Sequence, residues 1–154
     1  MRLWDWALAA YARPGVADAC LSLQDYHRQN VPLLLAAAWA ADEGRTLDLD
    51  GAAGLAAAWD DRAVLALRAA RRGVQAALPG IDDASREALR TTIKAVELSA
   101  ERLLLDALER LAGPVGSAGS GPQAALGRAA EAFAHRRAIT APPHAAVDQL
   151  SALF

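Results

Sequence analysis

Cysteine, β-forming residues, long hydrophobic runs and a charge excess are all scarce in this chain of 154 residues, and each shortage removes a class of protein. The single cysteine, Cys20, excludes an intramolecular disulfide, a multi-cysteine zinc site and an iron–sulfur cluster. Seven Val, three Ile, two Phe and two Tyr are too few to build a sheet. The longest uncharged apolar stretch runs from Val31 to Ala41 and is closed by Asp42 and Glu43, well short of the roughly 20 residues that cross a bilayer. Asp5 interrupts the apolar N-terminal run MRLWDWALAA, which argues against a signal peptide. A soluble, cytoplasmic protein is expected. Sixteen basic residues face 18 acidic ones, evenly divided between the two halves, so there is no electrostatic footprint for nucleic acid.

Catalytic signatures are missing as well. The sequence holds no Gly-x-x-x-x-Gly-Lys-Ser/Thr, no Gly-x-Ser-x-Gly, no His-Glu-x-x-His and no Glu-x-x-His. The glycines between 113 and 121 follow a helical pattern, precede Pro122 and lack a strand, which is the wrong setting for a phosphate-cradling loop. No metal, cofactor or membrane is expected, and the reading leans away from an enzyme.

What is present is helix. The 54% hydrophobic fraction is mostly alanine (40 residues) and leucine (23), the strongest helix formers, and the larger apolar residues suffice for a small core. Leu3 to Ala12 reads as a first helix. Pro14 opens a second to about Gln29, with Val16, Cys20, Leu23 and His27 on one face. Asn30 is placed to cap a third, in which Val31 to Ala41 is apolar on nearly every side and must lie centrally; Gly44 ends it. A short Ala-rich helix reaches Trp59, and another, capped by Asp60 or Asp61, runs to about Leu78. The longest extends from Asp82 or Asp83 to Ala112, with Leu89, Ile93, Val96, Ala100, Leu103, Ala107 and Leu111 as its seam. Residues 113–122 read as a flexible Gly/Ser/Pro linker, and 123–154 as a tail of two short helices. The expectation is an all-α, irregular or orthogonal bundle of five to six helices over 1–112, with a tethered C-terminal helical appendage.

Three constellations carry possible chemistry. Cys20, Gln24 and His27 recur at i, i+4 and i+7. On the long helix, Arg86, Arg90, Lys94, Glu97 and Glu101 form one stripe, where the two glutamates repel unless each meets a cation. Lys94 can serve Glu97; Glu101 needs Arg13, Arg45 or the helix bearing Arg62 and Arg68. Gln24, His27, Lys94, Glu97 and Glu101 therefore either gather in a pocket between the second and the long helix, or are salt-bridged scaffold. Three arginines in five residues, Arg68, Arg71 and Arg72, can meet phosphate or an acidic partner, but no aromatic interleaves as a stacking platform for nucleic acid. Trp4 and Trp6 lie about 200° apart on a helix and cannot both face one core, so with Leu150 and Phe154 they are the candidate interface.

The segments WDWALAAYARPGV (4–16), CLSLQD (20–25), VPLLLAAAW (31–39) and KAVELSAER (94–102) resemble an uncharacterised family of short proteobacterial proteins with a domain of unknown function. The resemblance covers roughly residues 1–112 and implies a small helical bacterial protein without supplying an activity. Its matching positions include Trp6, Tyr11, Gln24, Asp25, Trp39, Lys94, Glu97 and Glu101. The expected function is non-catalytic protein–protein interaction or regulation, through a partner or self-association; the alternative is a small-ligand-binding protein or enzyme using the pocket above.

Overall fold

A computed structural model of the chain describes residues 1–116 and 120–154. These form α1 (Leu3–Tyr11), α2 (Val16–Asp25), α3 (Val31–Asp42), α4 (Leu49–Trp59), α5 (Leu65–Gly73), α6 (Asp83–Glu109), α7 (Pro122–Arg136) and α8 (His144–Ser151), and a π-turn at Asp60–Val64 joins α4 to α5. No strand occurs among the described residues, only an isolated bridge between Leu47 and Ala112. The architecture is all-α, as the composition requires.

The third helix is the centre. Asn30 caps it, its side-chain oxygen accepting from the Leu33 N–H at 2.9 Å, and Pro32 occupies the first turn, where its missing N–H costs nothing. All ten residues from Val31 to Ala40 are buried, because α1, α2, α4, α6 and α7 surround the helix. Gly44, with φ of 65°, takes the left-handed turn that stops it.

The C-terminal segment is not an appendage. α7 lies along α3 and α4, and α8 packs on α7 and α2. Leu126, Phe133, Val147 and Leu150 are fully buried in the same core as the α3 leucines. The eleven-residue terminal segment is too short to hold a helix alone in water, and docking here supplies what it lacks. The expected 113–122 linker falls partly on 117–119, outside the described residues. Ahead of that point the chain is tied down: Gly113 N–H donates to Thr46 O at 2.8 Å, and Gly116 N–H to Gly44 O at 2.7 Å.

Two further expectations are corrected. Asp60 and Asp61 cap nothing, since the chain stays helical through Trp59 and Asp60 and the π-turn carries α4 into α5. The seam of α6 is rotated from the expected line. Asp82 caps the helix as expected, but its buried residues are Glu97, Ala100, Leu104, Leu105 and Leu108, whereas Leu89, Val96 and Leu103 face solvent. The N-terminal half of α6 rises past the bundle, so the line the sequence offers as a seam there meets no neighbour. It forms with α5 a projecting arm, clasped by Arg86, whose Nη1 donates to the Val74 and Gln75 carbonyls at 2.6 and 2.9 Å.

Candidate functional site

At the base of the arm, α5 and α6 meet through charge. Arg68 donates from Nε to Glu97 Oε1 at 3.2 Å and from Nη2 to Glu101 Oε1 at 2.9 Å; Arg71 Nε reaches Glu97 Oε2 at 2.7 Å. Arg68 and Glu97 are buried, with side-chain exposures of 7% and 10%. Burial raises the Glu101 carboxyl above its ordinary value, against the pull of Arg68. Trp59 fastens α4 to the same helix, its indole N–H donating to the Ala100 carbonyl at 2.9 Å.

The π-turn brings a second buried acid alongside. Asp60 accepts from Asn30 Nδ2 at 3.0 Å, so Asn30 both caps α3 and holds the turn. Burial pushes the Asp60 carboxyl up, opposed by the Asn30 amide and by Arg68 and Arg137. Arg137, just beyond α7, pairs with Asp61 at 2.6 Å and stands 3.7 Å from Asp60.

Between these groups and the end of α2 lies a pocket of about 230 Å³. Gln24 and Asp25 border it from α2, Arg28 and Gln29 from the following loop, and Leu65, Arg68 and Arg72 from α5. Arg28 sits in the left-handed region, with φ of 55°. Gln29 is 2% exposed, and neither its Oε1 nor its Nε2 has a hydrogen-bond partner among the described residues. A larger cavity of about 370 Å³ is lined mostly by alanine and leucine, with Arg45, Ser120 and Arg128 among them. No three His, Cys, Asp or Glu side chains among the described residues are grouped to hold a metal ion. No helix among them is long and apolar enough to cross a membrane.

The structure unites some of the expected site residues and separates others. Glu97 and Glu101 stand together, but their cations come from α5, and Lys94 is exposed without joining them. Gln24 turns to Asp25, its Nε2 donating at 3.2 Å. His27 is half-buried in the loop after α2, and α2 packs on α1, α3 and α8. Cys20 is fully buried; burial pushes its thiol up to about 11, with the neighbouring Tyr11 hydroxyl acting the other way. It stays protonated at neutral pH, and we expect it to resist iodoacetamide in the native protein and to react only after unfolding.

The aromatic candidates turn inward. Trp6 is buried, donates from Nε1 to Asp42 at 2.8 Å and stacks obliquely on Phe154 at 5.3 Å; Leu150 is fully buried. Trp4 is half-buried under the Arg102 guanidinium, 4.9 Å from the ring centre. Arg28 and Gln29 are missed because the second helix, expected to run to about Gln29, ends at Asp25 and leaves both in the following loop, where helical periodicity does not tell burial. Arg72 belongs to a visible arginine cluster, two members of which hold Glu97 while the third is left over.

Residues 2–108 match the model of a family described as Protein of unknown function (DUF2390). No curated protein and no solved structure matches the chain.

Proposed function

The chain belongs to that family, which brings no activity with it, and we propose that this member is a non-catalytic interaction protein that pairs with a second copy of itself through α6. One observation carries the reading: Leu89, Val96 and Leu103 are 51%, 48% and 59% exposed and stand seven residues apart on a single helix. A seven-residue step drifts by only ~20° on an α-helix, so the three form one apolar line about 21 Å long. Thr92 and Ser99 lie beside it, short enough to let a second helix approach.

The line reads alike from either end about Val96. A two-fold axis there sets Leu89 against the second copy's Leu103 and brings the two Val96 side chains together, an isologous contact. Antiparallel pairing also opposes the two helix dipoles, which favours it over a parallel contact. A cytoplasmic location belongs to the same reading, in keeping with a lone, unreactive Cys20.

Light scattering tests the pairing. Wild-type protein is expected at twice 16.1 kDa, and Val96→Glu, an exposed change that leaves the core intact, at 16.1 kDa with the wild type's helical circular-dichroism signal and a cooperative melt, lower only by what association contributes. A wild-type monomer at every concentration would overturn the reading.

A further inference from the structure

We propose that the pocket at the base of the arm binds a small oxyanion, a phosphate or carboxylate group, gripped by the guanidinium groups of Arg28 and Arg72 with the Gln29 amide as neutral donor. The site is independent of the exposed line on α6, and three observations assign it.

The first is which cations are uncommitted. Arg68 is bound to Glu97 and Glu101, and Arg137 to Asp61 beside Asp60, so both are structural. Arg28 and Arg72 border the same pocket and have no side-chain partner among the described residues. A guanidinium presents a planar fork of donors that matches phosphate or carboxylate oxygens two at a time, and it stays charged at any physiological pH.

The second is Gln29. Its side chain is withdrawn from solvent, yet both polar atoms lack a partner, a costly condition for a buried amide and one that a ligand relieves. Nε2 can donate to an anion without adding charge.

The third is the state of the acids. Asp60 is taken by Asn30 with Arg137 close by, and Asp25 accepts from Gln24. Neither offers a free carboxylate pair for a cation; both border the pocket and repel an anion, so a bound anion sits toward Arg28 and Arg72. The volume agrees, since about 230 Å³ is below the roughly 300–1,000 Å³ of sites for drug-sized ligands.

The test uses the full chain and a variant carrying Arg28→Gln and Arg72→Gln. Both positions are exposed and unpartnered, so the variant should melt where the wild type melts in sodium chloride. Melting temperature is then followed against sodium phosphate and, separately, sodium malonate, at ionic strength matched with chloride. Phosphate stabilises folded proteins without binding specifically, and that part is common to both proteins. Expected is a saturating extra rise in the wild type in at least one salt, with apparent affinity in the variant weaker by about tenfold or more. The salt that saturates identifies the group: phosphate alone for a phosphate-bearing ligand, malonate for a carboxylate. Equal rises in wild type and variant, or no saturation in either salt, would overturn the proposal.

Discussion

Ending the chain after Ala112 is expected to abolish the fold, giving a fragment with no cooperative thermal transition and a helical circular-dichroism signal well below that of the same residues in the full chain. The reason lies in what α7 and α8 cover. Leu126, Phe133, Val147 and Leu150 are each at most 2% exposed, packed on α2, α3 and α4. At about 1.5–3 kcal/mol for each large side chain buried, these four account for about 6–12 kcal/mol, comparable to the whole stability of an ordinary domain, about 5–15 kcal/mol. The loss also uncovers the apolar face of α3, so the fragment should aggregate. Phe133→Ala in the full chain is the graded version, expected to cost about 3–5 kcal/mol. A fragment 1–112 that melts cooperatively near the wild-type temperature would show α7 and α8 to be dispensable to the core.

Replacing Arg68 by Met should be the most damaging single change at a charged position. The methionine keeps most of the stem but leaves the buried Glu97 without one of its cations and Glu101 without its own, and at Glu101 burial already works against ionisation. Removing one partner of a buried ion pair costs about 3–5 kcal/mol, or about 10 °C of melting temperature in a chain of this size. The pH dependence follows from the direction of the shift. Without Arg68 the folded-state pKa of Glu101 rises further above its ordinary value near 4.5. A carboxyl raised in the folded state does no harm while protonated in both states; its penalty grows as pH climbs through the unfolded value and is complete above the folded one. The melting-temperature gap between wild type and Arg68→Met should therefore be small near pH 4 and widest at neutrality. Adding Glu97→Gln and Glu101→Gln to Arg68→Met should recover most of it, because the buried charges are gone. A gap that stayed constant with pH would assign the cost to lost packing instead.

What could be read in advance divides along physical lines. The α3 helix was legible because its apolar residues leave no polar face and Asn30, Pro32 and Gly44 mark its ends by local chemistry. Asp82 was legible as a cap for the same reason. The buried face of α7 was not, because it is made largely of Ala125, Ala129, Ala130 and Ala134, and alanine suits a buried or an exposed helical position equally well. The π-turn left no mark either, since its i→i+5 bonding answers to packing and not to any residue type. Asp60 looked like a cap and turned inward to Asn30. At the site, the mutual repulsion of Glu97 and Glu101 correctly demanded cations, and the Arg68 helix was among the possible sources. Which arginine reaches which carboxylate depends on how α5 lies on α6, a tertiary fact. The apolar line Leu89–Val96–Leu103 was visible as a line, but not that it would face water.

The central claim, antiparallel pairing of α6 about Val96, is open to a positional measurement. With Cys20 buried and protonated, Val96→Cys and Leu89→Cys each add one accessible thiol. Antiparallel pairing brings position 96 against its own copy, within the Cα separation of about 4.4–6.8 Å that a disulfide spans, and holds position 89 about 21 Å from its copy. Mild oxidation should therefore crosslink Val96→Cys into a covalent dimer and leave Leu89→Cys monomeric on non-reducing gels, while an equimolar mixture of Leu89→Cys and Leu103→Cys crosslinks. Crosslinking of Leu89→Cys as readily as Val96→Cys, or of neither, would contradict the account.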